Sequence, residues 1–296
     1  MTRTTCPRAR TGPLIGTLIA FAAVAFHACA GIAANPAIAD TTASADRQDD
    51  VLRLRLEEVT PQKVFFAGGK PATFTYEIGG SVARDLTVQV VRRGGRVIRG
   101  WKHEDVEPGQ RQTQTWGGKA RRKRTAKSGR YLFRVRARRG ALAERSSAEG
   151  RRSFGFYDHV FPVRGKHRYG DGIGARRRGH RHQGQDVFAR CGASLVAARG
   201  GKVQYKGYQG GGAGRYVVVD GRKTGRDYVY MHLKGKADVR TGERVRTGQR
   251  IGAVGDSGNA SGCHLHFEIW SKPGWYDGGR YLRSVTKKLR RWDRWS

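Results

Sequence analysis

The stretch Cys263-His264-Leu265-His266-Phe267-Glu268-Ile269 constrains this chain more than any other, because it sets two histidines two residues apart inside an apolar run. In a β-strand alternate residues share a face, so His264 and His266 point the same way, about 6.6–7 Å apart, while Leu265 and Phe267 turn into the opposite layer. The expected element is a strand with packing behind it and two imidazoles in front. Upstream, His182-Gln183-Gly184-Gln185-Asp186 places a histidine and a carboxylate four residues apart, and His232 follows the strand-like Tyr228-Val229-Tyr230-Met231. Two imidazole nitrogens and one carboxylate oxygen suit Zn²⁺, with a fourth position left for water. A lone His-x-His is most often a hydrogen-bonded core pair. Three such segments in one order, separated by glycine-punctuated strands, point to a site.

These segments, His182-x-x-x-Asp186, Tyr230-Met231-His232-Leu233 and His264-Leu265-His266-Phe267-Glu268, resemble the lysostaphin/LytM-type zinc endopeptidases that cut bacterial cell-wall peptides. The turns Gly248-Gln249-Arg250-Ile251-Gly252 and Gly255-Asp256-Ser257-Gly258 are similar to that family's, and the resemblance covers roughly residues 161–282. It implies an antiparallel β-sheet peptidase domain in which His182, Asp186 and His266 hold Zn²⁺ while His232 and His264 flank the open position as catalytic residues. Glu268 shares the strand face of His266 and is a candidate partner for it. His180 forms a second His-x-His with His182, but only His182 keeps the spacing to Asp186.

The amino terminus carries Arg3, Arg8 and Arg10 without an acid, then an almost wholly apolar run from Pro13 to Phe26. That pattern is a secretory signal, with small-x-small sites that allow cleavage after residue 30 or 39. The run is short of the roughly 20 residues needed to span a bilayer, so no transmembrane segment is expected in the mature chain. The formal charge is +34, and +31 remains without the leader. Such a charge seeks polyanions. The arginines are scattered, no nucleic-acid-binding motif appears and the leader exports the chain, so an anionic cell-wall polymer is the expected partner rather than a specific nucleic acid. Cys6 and Cys29 fall in the leader. Cys191 and Cys263 remain, expected as a disulfide in an oxidising compartment, with a cysteine metal ligand as the rival reading.

Beyond the leader, Leu52-Leu54-Leu56, Ala72-Phe74-Tyr76-Ile78, Leu86-Val88-Val90 and Tyr131-Phe133-Val135-Ala137 alternate with polar residues between glycine or proline turns. The reading is all-β: an immunoglobulin- or fibronectin-like β-sandwich over residues 50–152, then the peptidase domain over 160–282. His103, in a polar segment, is expected to be solvated. Lys166 to Arg181 is basic, glycine-rich and poor in apolar residues, and is expected as a loop bordering the site. Leu282, Val285, Leu289 and Trp292 recur at helical spacing among basic residues, which makes 283–296 a basic amphipathic tail that either packs on the enzyme domain or faces a wall or membrane surface.

The sequence therefore predicts a secreted or wall-associated bacterial zinc endopeptidase acting on peptidoglycan peptides. A catalytically silent, wall-binding regulator of the same fold is the rival. The family relation associates that role with lost ligands, and here all five positions are present.

Overall fold

The computed structural model describes residues 52–120, 124–137, 152–177 and 179–296. The leader, with Cys6 and Cys29, lies outside the described residues, as do Gly140 to Arg151 of the stretch between the two expected domains. Eight strands make the first half: β1 (Leu54–Thr60), β2 (Lys63–Phe65), β3 (Ala72–Ile78), β4 (Arg84–Arg92), β5 (Val97–Val106), β6 (Arg111–Trp116), β7 (Gly129–Ala137) and β8 (Ser153–Tyr157). They form a three-stranded sheet in the order β1-β3-β6 and a five-stranded sheet in the order β2-β8-β7-β4-β5, in which only β2 and β8 pair in parallel. Both sheets turn their alternate apolar residues into one shared core that includes Phe74, Tyr76, Val88, Phe133 and Phe154. The first strand departs from simple alternation. A bulge between Leu54 and Leu56 shifts the register, so Glu57 and Val59 take the buried positions that continued alternation would have given to Leu56. Arg152 meets the buried Glu57 at 2.6 Å. His103 is not left to solvent, because its ring accepts or donates between the Tyr76 hydroxyl and Gln114 at 3.0 and 3.1 Å.

The second half adds β9 (His167–Tyr169), β10 (Arg176–Arg177), β11 (His180–Arg181), β12 (Gln185–Ala189), β13 (Ser194–Val196), β14 (Gly201–Gln209), β15 (Gly214–Gly221), β16 (Arg226–Met231), β17 (Arg244–Val245), β18 (Arg250–Ala253), β19 (His264–Ser271) and the helix α1 (Val285–Asp293). Seven of these strands make one antiparallel sheet in the order β17-β14-β15-β16-β19-β12-β9. One face of that sheet, with Val217, Val219, Tyr228, Tyr230, Leu265 and Phe267, packs beneath the β13-β18 pair and α1 in a second core. The helix contributes Val285, Leu289 and Trp292 to this core, so its apolar stripe is covered and its basic side faces outward.

The two cores touch directly. Arg199 is 2 % exposed, lies 4.1 Å over the Phe66 ring and donates to the carbonyls of Asp158 and Arg222. Thr247 donates its hydroxyl to the Phe66 carbonyl and its amide to that of Ala67. Trp295 stacks on Tyr157 with centroids 5.0 Å apart.

Candidate metal centre

The site occupies the other face of the seven-stranded sheet. Alternation along β19 brings His264, His266 and Glu268 to that face while Leu265, Phe267 and Ile269 fill the core behind. The antiparallel register then sets Asp186 of β12 opposite His266, and Phe188 opposite His264. On the other flank Met231 of β16 pairs with His266, and His232 follows at φ +62°. That left-handed conformation ends the strand and re-aims the chain, a position disfavoured for a residue with a Cβ. His182 enters from the segment before β12. Gly184 between them lies so close to the site strand that a Cβ there would fall 2.6 Å from Nε2 of His266. Only glycine fits that approach.

Three buried atoms converge: Nε2 of His182, Oδ1 of Asp186 and Nδ1 of His266, separated by 3.0, 2.9 and 2.9 Å. The outer nitrogens decide what these atoms carry. Nδ1 of His182 faces the Gly172 carbonyl at 2.9 Å, and Nε2 of His266 faces Oε1 of Glu268 at 2.9 Å. Carbonyl and carboxylate oxygens only accept, so each outer nitrogen holds its ring's proton and each inner nitrogen presents a lone pair. With both rings neutral, two lone pairs and a carboxylate oxygen face one point, and that donor set fits a cation such as Zn²⁺. Electrostatics agree. Burial depresses the basicity of His266, but Asp186 and Glu268 on either side outweigh it and push the ring up to about 9, so without a metal Nδ1 takes up a proton at pH 7 that a bound cation would replace. Burial would likewise raise Asp186, yet the two histidines hold its carboxyl far below the usual range.

The remaining two histidines stand beside the triangle. The rings of His232 and His264 are 4.6 Å apart, and His232 is 6.0 Å from His266. Nδ1 of His232 donates to the Ser257 carbonyl and Nδ1 of His264 to the Gly262 carbonyl, each at 2.8 Å, which leaves both Nε2 atoms with lone pairs. Burial lowers His232 to about 4, so the ring is neutral at pH 7.

Around this set lie groups that sequence reading passed over. Arg177, in the segment expected as a plain bordering loop, donates to Oδ2 of Asp186 at 2.8 Å and also meets Asp171 at 3.1 Å. That segment holds the short strands β9, β10 and β11 rather than loop alone. Trp270 donates to Oε2 of Glu268 at 2.6 Å. Its place two residues past Glu268 on a strand was the available signal. His180 lies exposed on β11, and His167 bonds Asp293, so neither joins the triangle. Cys191 and Cys263 form a disulfide with Cα atoms 5.2 Å apart, tying the end of the β12 segment to the start of β19. The rival reading of a cysteine ligand is thereby corrected, since neither sulfur is a free thiolate.

The chain is similar to several known proteins. Over 110 residues the chain is 39 % identical to an uncharacterized metalloprotease of Haemophilus influenzae, a match covering 36 % of this chain and 21 % of that protein. It is 39 % identical over 90 residues to the peptidoglycan DD-endopeptidase ShyC of Vibrio cholerae, covering 30 % and 20 %. With the L-Ala--D-Glu endopeptidase of Bacillus subtilis it shares 33 % over 156 residues, covering 47 % and 45 %. The chain thus spans less than half the length of these curated relatives. Among solved structures, the catalytic domain of lysostaphin from Staphylococcus simulans aligns at 27 % identity and a TM-score of 0.38, covering 42 % of this chain and 92 % of that one. Residues 180–278 match the family described as Peptidase family M23.

Proposed function

We propose that the protein is a zinc-dependent endopeptidase that hydrolyses peptide bonds in bacterial peptidoglycan. The observation that carries this reading is the buried triangle of His182, Asp186 and His266, whose outer ring nitrogens are each held by an acceptor so that the inner ones face the carboxylate. These three residues would hold the ion. Bound there, zinc supplies a Lewis acid for the scissile carbonyl and the attacking water. The chain's own part is proton handling. Nε2 of His232 and of His264 are the basic atoms left facing the site, one placed to accept the proton of the attacking water and the other, once protonated, to donate to the developing oxyanion. Relatives named as DD-, glycyl-glycine and L-Ala--D-Glu endopeptidases support wall peptides as the substrate class.

Export by the leader and action in the cell wall belong to the same reading. Among the described residues no helix is long and apolar enough to cross a membrane. The β1–β8 half, which runs to Tyr157 and so past the expected boundary at 152, is assigned as an immunoglobulin- or fibronectin-like module that positions the peptidase domain of 160–282. The test is mass spectrometry of fragments released from purified peptidoglycan. Peptide-bond cleavage that stops on chelation and returns with zinc supports the reading, and unchanged release after exhaustive chelation overturns it.

A further inference from the structure

The helix α1 and the segment before it lie beyond residues 180–278, so nothing in the family match accounts for them. Arg283, Lys287, Arg290, Arg291 and Arg294 line a groove of about 700 Å³, with Ile173 of the segment bordering the metal site as its far wall. All five cations are exposed. Lys287, Arg290, Arg291 and Arg294 follow the i, i+3, i+4, i+7 spacing of one helix face, and Arg283 sits one turn earlier. The opposite face is buried through Val285, Leu289 and Trp292, which fixes the basic side outward and excludes membrane insertion of the apolar stripe. Arg290 lies over the Tyr169 ring at 4.9 Å, and Arg291 approaches Asp158 at 3.8 Å. Arg283, Lys287 and Arg294 meet no carboxylate among the described residues. Like charges held this close repel, and a surface that keeps them unneutralised gains most from a polyanion.

We infer that this groove binds a linear anionic polymer of the cell wall, a phosphodiester chain, and thereby holds the peptidase on its substrate. The choice of a wall polymer rests on the endopeptidase reading above, whereas the groove itself does not. Cations recur once per helical turn of about 5.4 Å, which suits a polymer with one negative charge per short repeat. Apart from Ile173 the lining is cationic or hydroxyl-bearing, with Ser284 and Thr286 as further hydrogen-bonding groups. No aromatic ring lines it, so it lacks the stacking platform with which proteins hold single-stranded nucleic acid. Ile173 is one residue from Gly172, whose carbonyl holds His182, so a chain lying in the groove ends beside the metal centre.

The test measures binding of the full chain to synthetic poly(glycerol phosphate), alongside zinc-dependent hydrolysis of a small soluble wall peptide. Four phosphate contacts, from the lining cations other than Arg291 with its Asp158 neighbour, predict an affinity that falls about 50-fold between 50 and 200 mM salt, on the slope for flexible single chains. The triple variant Arg283→Glu, Lys287→Glu, Arg294→Glu should bind at least about 10-fold more weakly while hydrolysing the small peptide like wild type. A matched variant, Arg93→Glu, Arg96→Glu, Arg130→Glu, reverses three exposed cations on the other half and should keep its affinity. Equal losses in both variants would assign binding to net charge and overturn the groove, as would unchanged binding in the first. Duplex DNA that displaces the polymer at equal phosphate concentration would also overturn it. Groove-dependent binding without peptide hydrolysis would leave the groove standing and remove the endopeptidase reading.

Discussion

Nε2–H of His266 donates to Oε1 of Glu268 at 2.9 Å, and this one hydrogen bond determines which nitrogen of the ring faces Asp186. The carboxylate is 3 % exposed and has its second oxygen bonded to the Trp270 indole, so it cannot swing away. Glu268→Gln removes the charge that makes His266 a basic ligand and leaves its new amide group opposed to one of two donors. Zinc affinity should fall by about 10- to 100-fold, the usual cost of losing a partner of a ligating histidine. Competition against a fluorescent chelator measures it, and Trp270→Phe should show a smaller loss in the same direction.

The Cys191–Cys263 disulfide closes a loop with a sequence separation of 72. On the chain-entropy account such a loop contributes about 4 kcal/mol by restricting the unfolded chain. The Cys191→Ser, Cys263→Ser variant should therefore melt roughly 10 °C lower in differential scanning calorimetry. It should still take up zinc below that temperature, because neither sulfur faces the metal triangle.

Acid should weaken the fold through His159. This ring is buried against Trp292, with centroids 4.4 Å apart, and its Nε2 meets the Tyr228 hydroxyl at 2.7 Å. Burial lowers it to about 4, with Arg199 and Lys288 acting in the same direction and Asp158 opposing. The unfolded chain, near 6.5, takes up the proton first, so stability is complete above about pH 6.5 and declines as pH falls towards 4. The loss approaches about 3 kcal/mol. Urea unfolding of wild type and His159→Phe between pH 7 and 4.5 checks the sign, since the wild type should lose more stability over that window than the variant.

What the sequence made legible follows from periodicity. His264 and His266 sit on one face because strands alternate, and the strands holding Phe74, Val88 and Phe133 follow from the same two-residue rule. The rule fails where a bulge intervenes, which is why Glu57 rather than Leu56 is buried. The four site histidines and Asp186 were legible as types at spacings. Their supporting groups were not, because Arg177 reaches Asp186 through a hairpin with no apolar pattern, and carbonyls such as Gly172 and Ser257 leave no mark in side-chain identity. The covered stripe of α1 was visible as helical spacing, but only the fold shows what packs on it.

The most direct measurement of the central claim is zinc content and turnover on the same five purified variants. His182→Ala, Asp186→Ala and His266→Ala should lose both metal and activity, because each removes one corner of the triangle. His232→Ala and His264→Ala should retain one zinc per chain and the wild-type fold while kcat drops about 10²-fold or more, the scale of losing a general base or an oxyanion donor. Stoichiometric zinc in the His266→Ala protein, or wild-type turnover in His232→Ala and His264→Ala, would contradict the account.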